Sequence, residues 1–129
     1  MYHGWSDTSI SPLNTINYLE NVMSFVQGKG SRADAEKSVQ EFARLFMVPG
    51  MLHCSGGPGP NNFDMLAALE TWVEKKQPPE QVMASHSTKG VIDRTRPLCA
   101  YPKVARYSGR GSIDEAANFS CDLPDRTRR

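Results

Sequence analysis

Between Met47 and Asp64 the chain reads MVPGMLHCSGGPGPNNFD, the stretch that most limits what it can fold into. An apolar run ends at Pro49-Gly50, and His53 and Cys54 follow side by side. A segment dense in glycine and proline then leads into the next apolar pattern. Glycine and proline interrupt both helix and strand, so this is a stiff loop. The apolar run Leu45 to Val48 before it is compact enough for a buried strand. A helix pattern follows, with Phe63, Leu66, Leu69, Trp72 and Val73 on one face, Asn61 or Asn62 as its cap and Gln77-Pro78-Pro79 as its stop.

The same order occurs upstream. Met1 to His3 read as the last residues of a strand ended by Gly4, and Asp7 lies in the polar loop beyond it. Pro12 suits the first helical position after a Ser11 cap. Leu13, Ile16, Leu19, Val22, Met23 and Val26 recur at helical spacing until Gly28, and Arg32 to Glu41 give a short polar helix. Strand, loop with an acid, helices, strand, loop with a histidine, helix is an α/β order. It matches the last units of a doubly wound parallel sheet, whose sites lie at the carboxyl ends of the strands. Further on, Gln81 to Ser87 and Val91 to Thr95 read as two short strands around Lys89-Gly90. Beyond Pro97 the periodicity fades, and an irregular tail is expected.

Composition narrows the partners. With 129 residues and 39% hydrophobic content there is enough for about one domain, and a net charge of +1 gives no reason to expect nucleic acid or an acidic membrane. No apolar run reaches the about 18 residues of a membrane-spanning helix. The basic tail Arg126, Arg128, Arg129 reads as a solvated terminus. Cys54, Cys99 and Cys121 form an odd set: Cys99 and Cys121 lie 22 residues apart in the loop-rich third, a span a disulfide can close, which leaves Cys54 to a partner elsewhere. Together with the glycosylation sequon at Asn118, this favours an oxidising, extracytoplasmic compartment. The start MYHGWSD carries no secretory leader and reads as the tip of a core strand, so the chain is expected to be the C-terminal part of a larger domain.

For chemistry, His53 and Asp7 stand out because each falls just past the end of a predicted core strand. In α/β-hydrolases a nucleophilic serine, an acid and a histidine appear in that chain order, the histidine acting as base and the acid fixing its tautomer. Asp7 precedes His53 by one helical crossover and suits the acid, since Ser11 is better placed as the helix cap. Asp34 and Asp64 are rivals, but Asp34 reads as part of a polar helix or turn and Asp64 as a first-turn residue favoured by the helix dipole. His3 and His86 lack a partner pattern and are read as structural or exposed. Cys54 could be a nucleophile, a metal ligand or half of a disulfide. Neighbouring side chains diverge and no zinc spacing is present, which favours the disulfide over a metal or redox site. No G-x-S-x-G elbow occurs, and Ser55 has no strand–turn–helix around it, so the nucleophile is absent from the sequence.

Several of these runs together resemble the tannase and feruloyl esterase family: Tyr2-His3-Gly4-Trp5-Ser6-Asp7, Met47–Asp64, Asp93-Arg94-Thr95-Arg96-Pro97-Leu98-Cys99 and Ala116-Ala117-Asn118-Phe119-Ser120-Cys121. The resemblance implies the C-terminal part of an α/β-hydrolase sheet with a disulfide-stapled tail, from a secreted serine enzyme that cleaves esters of aromatic acids. It places the triad acid at Asp7 and the triad histidine at His53. Cys54 would bridge to a cysteine just before the nucleophilic serine, and Cys99 to Cys121. The nucleophile, oxyanion hole and lid lie outside this sequence, and any calcium the family binds belongs to the lid. The partner implied for this segment is therefore the remainder of the same enzyme. The competing expectation is an inactive remnant or an interaction module.

Overall fold

The computed structural model describes residues 1–125, and Arg126, Arg128 and Arg129 lie outside the described residues. Strand β1 (Tyr2–Gly4) pairs in parallel with β2 (Phe46–Val48), Tyr2 opposite Phe46 and Gly4 opposite Val48. Parallel neighbours need a long crossover, and helices α1 (Pro12–Gln27) and α2 (Arg32–Gln40) provide it. Ser11 holds the cap position of α1, but its side chain makes no capping bond; its backbone carbonyl instead accepts the Asn14 N–H at 3.0 Å. Helix α2 is capped more fully, Ser31 Oγ accepting the Asp34 N–H at 3.1 Å. Ala35 and Val39 give it an apolar face despite its polar composition.

Strand β2 buries Phe46 and Val48 fully and Met47 in part, so apolar side chains leave it on both faces. Phe46 and Val48 point into one cluster with Met51, Val82, Ala84, Leu98 and Ala100. Leu45 joins a second cluster with Leu19, Met23 and Val39, against which Met47 packs. The α1–α2 pair therefore covers one face and a β-hairpin the other. That hairpin is β3 (Gln81–Thr88) against β4 (Val91–Cys99), closed by Lys89-Gly90 with positive φ at both residues, the geometry that suits a two-residue turn between twisted strands.

Helix α3 (Met65–Lys75) begins later than the sequence pattern suggests. Its cap is Asp64, whose side chain accepts the Ala67 N–H at 2.8 Å, and neither Asn61 nor Asn62 serves. Phe63 precedes the helix and packs, with Met65 and Ala68, against the first cluster. Leu66, Leu69 and Val73 are exposed.

The C-terminal third is more regular than expected. Strand β4 continues through Pro97 to Cys99. Strands β5 (Val104–Tyr107) and β6 (Phe119–Asp122) form an antiparallel pair, preceded by a short 3-10 turn at Ala116–Asn118. The Cys99–Cys121 disulfide ties β6 to the end of β4, and the Arg96 guanidinium stacks 3.6 Å from the Phe119 ring centre. Among the described residues no helix is long and apolar enough to cross a membrane.

Candidate active site

Because β1 and β2 run in the same direction, the loops that leave them emerge at the same end. One loop carries Asp7 and the other His53. They are stitched together by backbone bonds: the Trp5 N–H donates to the Val48 carbonyl at 2.9 Å and the Ser6 N–H to the Met51 carbonyl at 3.0 Å. So close an approach needs a residue without a side chain at Gly4, where a Cβ would overlap the carbonyl oxygens of Met51 and Leu52.

The histidine loop is held from within. The Leu52 N–H donates to the Gly56 carbonyl at 3.1 Å, closing the turn that contains His53 and Cys54. Asn61, freed from capping, accepts the Gly56 N–H and donates to the Gly59 carbonyl at 2.9 Å. Cys54 sits in this turn with φ of 64°, a left-handed conformation costing a non-glycine residue about 1–2 kcal/mol. Its thiol is free and the residue exposed.

Asp7 Oδ2 lies 2.7 Å from His53 Nδ1 across 46 residues of sequence. The Asp7 side chain is only 2% exposed, yet its carboxyl is held well below the ordinary carboxylate range. The Ile10 N–H is the largest cause, joined by the His53 contact and the Ser9 N–H, all of them outweighing the opposing effect of burial. An ionised carboxylate only accepts, so Nδ1 of His53 carries the hydrogen and the neutral ring has its lone pair at Nε2. The His53 side chain is half exposed, and among the described residues Nε2 has no hydrogen-bond partner. The two residues face a cleft of about 270 Å³ lined also by Tyr2, His3, Ile10 and Thr15. A half-exposed base with an unpartnered nitrogen, backed by a buried anion beside a cleft, is equipped to take a proton from a hydroxyl and return it to a leaving group.

The other candidates are placed elsewhere. Asp34 and Asp64 are engaged at the starts of α2 and α3. His86 pairs with Asp93 on the neighbouring strand at 2.6 Å. Ser55 stays in the bend after Cys54, and among the described residues no serine bonds to His53. His3, read from the sequence as having no partner, is in the site: its Nε2 lies 3.0 Å from Asp7 Oδ2 and its Nδ1 2.6 Å from Thr15 Oγ1. Its position four residues before the acid, at the tip of the same strand, was the one available signal. Asn118 Nδ2, the atom a glycan would occupy, donates to the Ser112 carbonyl at 2.9 Å. Among the described residues no group of three or more His, Cys, Asp or Glu side chains is arranged to hold a metal ion.

A family model described as tannase and feruloyl esterase matches residues 1–122. A mono(2-hydroxyethyl) terephthalate hydrolase of Piscinibacter sakaiensis is 47% identical over 127 residues, which cover 96% of this chain and 19% of that protein. A tannase of Aspergillus oryzae is 28% identical, with 88% of this chain and 20% of the relative covered. The crystal structure of feruloyl esterase B from Aspergillus oryzae superposes with a TM-score of 0.80 at 27% identity, covering 94% of this chain and 26% of that one. The chain thus spans about a fifth of the length of the curated relatives it matches.

Proposed function

The chain belongs to the tannase and feruloyl esterase family, and from that premise we propose that it supplies the acid and the base of a serine carboxylic ester hydrolase acting on esters of aromatic acids. One observation carries the reading: His53 Nδ1 donates to buried Asp7 at 2.7 Å while the half-exposed ring leaves Nε2 without a partner among the described residues. In the reaction, Nε2 takes the proton of a serine hydroxyl as the serine oxygen attacks the ester carbonyl. It returns that proton to the departing alcohol, leaving an acyl-enzyme. The same nitrogen then deprotonates water, whose attack releases the acid and the free serine. Asp7 holds the Nδ1–H tautomer throughout and stabilises the imidazolium of each step.

The serine comes from the part of the enzyme outside residues 1–129. Exposed apolar surface supports a covering partner of that kind: Phe25 on α1 is 88% exposed, and Leu66, Leu69 and Val73 line the open side of α3. Strand β1 pairs only with β2 among the described residues, so its other edge is free to continue the sheet. Cys54, exposed and next to His53, is the bridge to the nucleophile's strand, and the Cys99–Cys121 bond fits a secreted protein. No step above runs through a metal.

The test uses the enzyme that carries this segment. Replacing His53 by Ala should abolish hydrolysis of methyl ferulate and methyl gallate while the fold persists, and undiminished turnover would remove the assignment.

A further inference from the structure

A carboxylate offers about four acceptor positions on its two oxygens, and the structure fills each of them on Asp7. Oδ1 accepts the N–H groups of Ser9 at 2.8 Å and Ile10 at 2.9 Å. Oδ2 accepts His53 Nδ1 at 2.7 Å and His3 Nε2 at 3.0 Å. Three of the donors come from the acid's own strand and loop; only His53 comes from afar.

We propose that His3 is a positioning residue for the acid–base pair: by occupying the second lone pair of Oδ2, it leaves His53 Nδ1 the single direction in which that oxygen can still accept. This rests on the Asp7–His53 reading above and extends it to a residue on β1. The ring of His3 is fixed for the task. Its Nε2 faces two groups that can only accept, Asp7 Oδ2 and the Ile10 carbonyl at 3.2 Å, so Nε2 carries the hydrogen. Its Nδ1 then accepts the hydroxyl hydrogen of Thr15, anchored on α1. The backbone of His3 is registered against Met47 in the sheet. Strand and helix therefore both converge on one oxygen. The His3 side chain is 11% exposed, so water has little access to that lone pair while the imidazole is present. Without it the position opens, and Oδ2 is free to swing between water and His53.

A purely structural histidine and a positioning one differ in what replaces them. Phenylalanine keeps the ring's bulk without the donor; glutamine restores an N–H at the position of Nε2 without the ring. Nuclear magnetic resonance of the enzyme that carries this segment, with 15N-labelled histidine, reads the outcome directly. In the wild type His3 should show the Nε2–H tautomer, and the His53 Nδ1–H proton should appear downfield and protected from exchange. His3→Phe should speed that exchange about tenfold, the scale of one lost charge-assisted hydrogen bond. His3→Gln should hold it within about twofold of wild type. Thr15→Val, which frees the His3 ring without touching Asp7, should speed it to an intermediate degree. Backbone amide spectra establish that each variant keeps its fold. Wild-type exchange in His3→Phe overturns the proposal; if that variant does not fold, wild-type exchange in Thr15→Val does so. A wild-type chain lacking the protected proton would instead remove the Asp7–His53 pairing itself, a failure distinct from that of His3.

Discussion

Gly4 lies so close to Met51 that any side chain on it would overlap the Met51 carbonyl oxygen. This contact sets the spacing between the acid loop and the histidine loop, because the neighbouring Ser6 N–H bonds to the same carbonyl. Gly4→Ala should therefore push the loops apart. The expected cost is about 1–3 kcal/mol, the usual range for overpacking, read as a lower denaturant midpoint. In the intact enzyme turnover should also fall by about 10², since displacing a reacting group by an ångström costs on that order.

Asp7 and His53 should differ in the size of their effect. In the enzyme that carries this segment, Asp7→Asn keeps the shape of the loop but loses control of the tautomer, and kcat on methyl ferulate should drop about 10⁴-fold. His53→Ala removes the proton carrier and should cost about 10⁶-fold. Circular dichroism matching the wild type would assign both losses to chemistry.

The lowered pKa of Asp7 makes stability depend on pH. Its carboxyl titrates lower folded than unfolded, so ionised Asp7 stabilises the fold fully above its ordinary value of about 3.9. That contribution disappears as pH falls toward the folded value. Glu80, lowered chiefly by Arg44, and Asp93, lowered chiefly by Thr88, act in the same direction. Thermal melting points measured from pH 7 downward should decline below about pH 4, and Asp7→Asn should flatten part of that decline.

The disulfide should matter for stability and little for the pair. Cys99 and Cys121 close a loop of 22 residues, which by loop-closure entropy contributes about 3 kcal/mol. Changing both to serine should lower the denaturant midpoint accordingly, with the protected His53 Nδ1–H signal retained. Loss of that signal would mean that the tail supports the site.

Much of this arrangement can be read from the sequence because its signals are local. Pro12 and Gly28 mark the ends of α1, Lys89-Gly90 marks a hairpin turn, and the glycine-rich run after His53 marks a loop past a buried strand. Asp7 and His53 stand out for the same reason, each lying one loop beyond a strand end.

What escapes such a reading is long-range or low in contrast. Pro97 looks like a strand breaker, but among the described residues β4 has only β3 as a ladder partner, and an edge strand tolerates a missing donor. Strands β5 and β6 are four residues each, too short for hydrophobic periodicity to announce them, and the disulfide and the Arg96–Phe119 stack help to hold them. Asn61 sits where a cap is wanted, yet its amide is drawn to the Gly56 and Gly59 backbone. His3 meets Asp7 through a bend of the chain rather than through a motif with regular spacing.

The saturation of Asp7 by N–H donors reaches beyond proton transfer. A buried carboxylate beside histidines offers the oxygen and nitrogen donors that zinc sites use, and a cation held there would take the acid out of the reaction. With both Asp7 oxygens already turned toward hydrogens, a cation would have to displace one of these four bonds to coordinate there. The hydrogen-bond pattern that aims the carboxylate also raises the cost of holding a metal there.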